Sequence, residues 1–193
     1  MRQLQLHEQT RAFKIVKSCF RENANFQFIF GNQLSGWRFN LFIRQCIRFA
    51  SKKNGAFIAE DNQAVALLVP VTSRKDQRQP ISRWQSLIII PISRLIPVSK
   101  FERRTRQFLP REPHLHFLSM AVNAKQHGIA TVIAMRDDVF ALSDVMQLPI
   151  YAQTSNPRVR NLYERFGFTV YADTAIPDSN DRLYFVKRTP KTT

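Results

Sequence analysis

Hydrophobic and polar positions along the 193 residues change period several times, and each change marks an element. From Thr10, a candidate N-cap, Phe13, Val16 and Phe20 recur at helical spacing and predict a first helix. NANFQFIF, from Asn23 to Phe30, alternates polar and aromatic residues and predicts a strand ending at Gly31-Asn32. A second helix is expected from about Gly36 to Ser51. Trp37, Phe39, Phe42, Ile43, Cys46 and Phe49 share one of its faces, and Arg38, Arg44 and Arg48 lie off it. GAFIAEDNQAVALLVPV predicts a hairpin of Ala56 to Glu60 and Ala64 to Val69. Its turn falls at Asp61-Asn62, where Asn tolerates positive φ.

The pattern weakens between Ser73 and Arg111. A polar loop, SRKDQRQP, precedes an apolar run, and Pro91 and Pro97 are expected to stop any long helix there. A basic helix is expected from about Ser99 to Phe108. His114 to Val122 follows as a strand. A helix from about Gly128 to Gln147 carries the apolar stripe Ile129, Val132, Ile133, Val139, Phe140, Leu142 and Met146. Leu148 to Ala152 is a strand, Pro157 to Arg165 a helix, and Phe168 to Ala175 and Leu183 to Val186 are closing strands. Alternating strands and helices place the chain in the α/β (α+β) class, with a mixed sheet covered by helices on both faces.

Composition narrows the setting. With 44 % hydrophobic residues and 16 Phe, residues 1–193 suffice for one folded domain. Cys19 and Cys46 belong to no CxxC or Cys/His pattern, so reduced, buried thiols are expected and a metal site is not. The N-terminal stretch MRQLQLHEQTRAFK lacks the apolar core of a signal peptide. The longest apolar run, Leu87 to Ile92, falls far short of the ~20 residues of a membrane span. A soluble, cytoplasmic protein is expected.

The charge is +15 and uneven. Residues 1–113 hold 20 Lys/Arg and 7 Asp/Glu; residues 114–193 hold 9 and 7. Such a field attracts a phosphorylated cofactor, an acidic acceptor or nucleic acid, and is equally the mark of a solvated basic surface. No helix-turn-helix, zinc or RNP pattern favours nucleic acid, which is not the expected partner. No Gly-x-Gly-x-x-Gly or Walker lysine loop favours a Rossmann or P-loop reading.

Chemistry concentrates in residues 114–168. Lys125, Gln126, His127, Gly128, Ile129, Ala130 and Thr131 open a helix, and free N–H groups with the helix dipole make a pyrophosphate site there. Small residues at Gly128 and Ala130 let phosphates approach the main chain, and Lys125 adds charge. One glycine before a helix is by itself weak evidence. The second segment, Asn156-Pro-Arg-Val-Arg-Asn-Leu-Tyr163-Glu-Arg-Phe-Gly167-Phe168, is more specific.

That segment resembles the Asn-x-x-Ala-x-x-x-Tyr-x-x-x-Gly-Phe motif of the GNAT N-acetyltransferase superfamily, with Val159 at the Ala position. Lys125 to Ala130 resembles its Arg/Gln-x-x-Gly-x-Gly/Ala phosphate loop, with Lys125 for Arg or Gln and Gln126 where Gly is common. The resemblance implies a mostly antiparallel twisted sheet of about six to seven strands, residues 114–168 being the cofactor-binding core. It implies an acetyl-CoA-dependent transfer of an acetyl group to a primary amine. Acyl-pantetheine would insert between the fourth and fifth strands, against the backbone of Met120 and Val122. Asn156 would bond the pantetheine arm or nearby backbone, and Tyr163 would protonate the departing thiolate.

HLHFLSMAV holds no Asp or Glu to serve as base. His114 and His116 are expected to share a face with Leu118 and Met120, which makes His116 the candidate base. Ser119, positioning a water, and Glu60 are alternatives. The amine acceptor is expected to be anionic, given the basic first half, and a homodimer is compatible with the family. A second reading is a GNAT-like CoA-binding module without turnover, prompted by the atypical loop and the missing acidic base.

Overall fold

The computed structural model describes residues 1–20, 23–31, 34–72, 83–123 and 129–191. Seven strands form one sheet in the order β1-β2-β3-β4-β5-β7-β6. They are β1 (Arg2–Gln3), β2 (Ala56–Ile58), β3 (Ala64–Val71), β4 (His114–Val122), β5 (Ile150–Thr154), β6 (Thr169–Ala175) and β7 (Arg182–Arg188). Every neighbouring pair is antiparallel except β4 and β5. The helices are α1 (Gln9–Cys19), α2 (Ala24–Phe30), α3 (Trp37–Lys52), α4 (Arg83–Ile89), α5 (Ile92–Thr105), α6 (Ile129–Met146) and α7 (Pro157–Arg165).

Alternate residues of β3 enter different cores, as the two-residue period of a strand requires. Val65, Leu67 and Val69 pack with α1 and α3 through Ile15, Val16, Phe39, Ile43 and Ile47. Ala64, Ala66 and Leu68 pack on the other face with Met135 and Val139 of α6. A third cluster joins Phe28 of α2 and Val98 and Phe101 of α5 to Leu183 and Phe185 of β7.

Several expected elements are corrected. Asn23 to Phe30 is a helix rather than a strand: Asn23 Oδ1 accepts from the backbone N–H of Asn25 and Phe26 and so caps it. Its aromatic alternation is two helical faces seen together. Phe26 and Phe30, one turn apart, meet α3, whereas Phe28 stacks edge-on against Phe101 of α5 at 5.3 Å. Helix α5 runs through Pro97, which forgoes one backbone bond while Val98 and Phe101 are buried. The first helix starts at Gln9, with Glu8 as its N-cap residue, so Thr10 is not the cap.

On α6 the buried stripe is Met135, Val139 and Ser143, at four-residue steps. Ile133 and Met146 fall off it and are exposed. Both cysteines are free, but Cys19 is exposed where burial was expected. The hairpin turn is as expected, with Asn62 at φ 60°. No described helix is long and apolar enough to cross a membrane.

Candidate active site

Strand β4 is the axis of the site. Leu67 opposes Ser119 and Leu68 opposes Phe117, so Leu118 is an extra residue, a β-bulge. The bulge exchanges the strand's faces. Before it, Leu115 and Phe117 lie in the α6 core; after it, Met120 and Val122 do, while Leu118 and Ala121 belong to the α1/α3 side. His116 and Met120 therefore lie on opposite faces, contrary to the period-two expectation. An inserted residue shifts the alternation by one, and strand periodicity alone cannot register it.

Beyond the bulge β4 and β5 part company. Their parallel pairing covers Leu115 to Phe117 against Ile150 to Ala152, although β4 continues to Val122 and β5 to Thr154. Ala64 O and Leu68 N bond towards β2, at Ala59 and Gly55, and Asn123 N bonds Gln63 O on the β3 side. By strand alternation, the N–H groups of Met120 and Val122 face away from β3, into the opening beside β5. An extended amide chain fits such a strand edge.

Helix α7 borders the same opening. Asn156 Oδ1 accepts from Arg158 N at 2.9 Å, which caps the helix, and Pro157 takes the first turn, where no N–H is needed. At the other end Phe168 N donates to Tyr163 O and Gly167 N to Glu164 O, both at 3.0 Å. With Gly167 at φ 83° this is a Schellman stop, as expected from the sequence. The stop turns Phe168 into the core, where its ring lies 4.8 Å from that of Tyr163. Phe117 meets Tyr163 edge-on at 6.5 Å. Burial pushes the Tyr163 pKa up, further from neutral pH.

Of the expected phosphate loop, Lys125, Gln126, His127 and Gly128 lie outside the described residues. Helix α6 begins at Ile129; Ala130 is exposed, and Thr131 Oγ1 donates to Asp61 Oδ2 at 3.4 Å.

On the α2/α5 side of β4 lies a cavity of about 300 Å³. Phe20, Phe26, Phe30, Phe42, Phe49 and Phe117 supply rings to its wall. Asn25, Glu102, His114, His116, Gln153 and Ser155 supply polar groups, and the described lining contains no Lys or Arg. A cation for the expected anionic acceptor is therefore missing from the described wall.

His114 Nδ1 lies 2.7 Å from Glu112 O and donates to it, which leaves Nε2 as the acceptor of the neutral ring. Desolvation, with a smaller contribution from His114, lowers the His116 pKa to about 4. Ser119 is buried outside the described lining. Glu60 is exposed and lies 3.8 Å from the amino group of Met1. Glu102 was missed by sequence reasoning because it sits in a basic run. Its signal was position: with Val98 and Phe101 it falls on the buried face of α5 at four- and one-residue steps. Burial raises its pKa, with Arg106 pulling the other way.

No family model matches the chain, and no curated protein matches its sequence. Solved structures do match over nearly its whole length. The C-terminal condensation domain of Ebony, solved with beta-alanyl-dopamine, is 13 % identical with a TM-score of 0.71, covering 97 % of each chain. Arylalkylamine N-acetyltransferase 2 from Aedes aegypti is 10 % identical with a TM-score of 0.70, covering 98 % of each. The polyamine N-acetyltransferase of Drosophila melanogaster is 12 % identical with a TM-score of 0.61, covering 97 % of this chain and 98 % of its own. The chain has the GNAT acyltransferase fold.

Proposed function

We propose that the protein is an N-acetyltransferase that moves an acetyl group from acetyl-CoA directly to a primary amine. The observation that carries this reading is the parting of β4 and β5 after Phe117, with Met120 and Val122 presenting N–H groups to the opening. An acyl-pantetheine amide chain would bond there as an added strand, and a backbone N–H at the bulge would polarise the thioester carbonyl. Lys125, Gln126, His127, Gly128, Ile129, Ala130 and Thr131 would hold the pyrophosphate at the start of α6.

Asn156 Oδ1 caps α7 and fixes that helix beside the opening, and its Nδ2 would donate to the pantetheine arm or nearby backbone. Tyr163, protonated at neutral pH as any phenol is, would give its proton to the departing thiolate. The fold shared with amine acetyltransferases supports the reaction class. The free thiols of Cys19 and Cys46 suit a reducing, cytoplasmic setting.

The test has two parts. Calorimetry with acetyl-CoA should show binding, and a thiol-release assay across an amine panel should show turnover. Absence of heat at millimolar cofactor sinks the reading. Binding without turnover of any amine leaves only a CoA-binding module.

A further inference from the structure

The cavity on the α2/α5 side of β4 says more about the acceptor than the net charge does. In a protein of charge +15, its described wall holds six phenylalanine rings, one carboxylate and no Lys or Arg. The volume, about 300 Å³, suits a molecule of one ring and a short side chain. The rings hold one another edge-on: Phe26 meets Phe20 at 4.7 Å and Phe42 at 5.3 Å, and Phe30 meets Phe42 at 5.4 Å. Such a wall offers an aromatic guest further edge-to-face contacts.

The wall carries several hydrogen-bond acceptors. The carbonyl of Glu112 holds His114 in the tautomer that leaves Nε2 an acceptor. Asn25 has a buried Oδ1 without a hydrogen-bond partner among the described residues. Glu102 contributes the carboxylate. An ammonium group on an apolar body complements this set, whereas a carboxylate or phosphate would meet no Lys or Arg among the described lining residues.

We propose that the cavity binds a primary amine carried on an apolar, ring-sized body, and that Glu102 takes the proton the ammonium must lose. This rests on the transferase reading above. Acceptance of that proton exposes the nitrogen lone pair; the C–N bond forms at the thioester carbonyl as the C–S bond breaks. The second nitrogen proton leaves as Tyr163 supplies one to sulfur, so the products are a neutral amide, a thiol and one released proton. Glu102 suits the first step, because burial lifts its pKa towards that of a working base. The titratable groups that line the cavity with it are His114 and His116 from β4, and Arg106 lies on its own helix.

The experiment compares phenethylamine, spermidine and aspartate as acceptors for the wild-type chain and for Glu102→Gln, a near-isosteric change. Phenethylamine should exceed both others in kcat/KM by at least about tenfold, the effect of one well-filled apolar pocket. Glu102→Gln should lower kcat about 100-fold, erase the acidic limb of the pH profile and leave acetyl-CoA affinity within about twofold. Equal rates for aspartate and phenethylamine, or a Gln variant within about threefold of wild type, overturn the proposal while the transferase reading stands. Calorimetry of phenethylamine with the cofactor-free protein supplies an independent readout. Heat there with no turnover upholds the cavity's ligand class even as the transferase reading fails; no heat and no turnover overturn both.

Discussion

The two sides of β4 are built differently. Towards α6 and α7, the order is local and dense in backbone bonds: Asn156 caps its own helix, Gly167 stops it, and Phe168 returns to Tyr163 within six residues. Towards α2 and α5, the wall of the cavity is assembled from distant segments. Asn23 Oδ1 accepts from Ser155 Oγ at 3.2 Å across 132 positions, and Glu102 arrives from a helix between β3 and β4. The bulge at Leu118 lets one strand serve both sides. On the proposed reading, the local frame would hold the cofactor and the assembled wall the acceptor.

The contrast can be broken first on the α6 side. Arg188 is buried and makes paired bonds to Asp144 at 2.9 and 3.0 Å while stacking on Phe140 at 4.1 Å. Asp144→Ala strands the guanidinium and should cost about 3 kcal/mol, seen as a lower urea midpoint at unchanged slope. A loss below about 0.5 kcal/mol would show that the pair is too well solvated to frame this side.

Next in size is a change confined to the cavity. Phe26→Ala removes a ring that touches Phe20, Phe39 and Phe42, and should raise the KM for phenethylamine by about tenfold with acetyl-CoA affinity unchanged. A parallel loss of cofactor affinity would deny that the two sides are separable.

The smallest expected effect is a pH slope. Burial holds the His116 pKa at about 4, below its ordinary 6.5. Between these values the unfolded chain binds a proton that the folded chain refuses, so stability is lost as pH falls from 6.5 towards 4. His116→Gln should flatten urea midpoints measured at pH 7, 6 and 5. An unchanged slope would place the titration elsewhere, His114 being the neighbour displaced in the same direction.

What the sequence made legible follows the same division. The strand His114–Val122 and the helix Pro157–Arg165 have the expected bounds, because their alternation, cap, proline and glycine are written within a few residues of one another. Asn23 to Phe30 misled because two turns of helix with Phe at alternate positions imitate a strand, and only the Asn23 cap distinguishes them. The faces of β4 were unreadable past Leu118, since a bulge is set by pairing with β3. Glu102 was hidden because its neighbours in sequence are cations, while its neighbours in space are rings and imidazoles.

The account stands most directly on where a CoA molecule lies. A crystal structure with CoA should show the pantetheine arm running along Met120 and Val122 between β4 and β5, with its sulfur near Tyr163 and at the mouth of the cavity that holds Glu102. CoA seated elsewhere, or an opening that stays empty at saturating CoA, would contradict it.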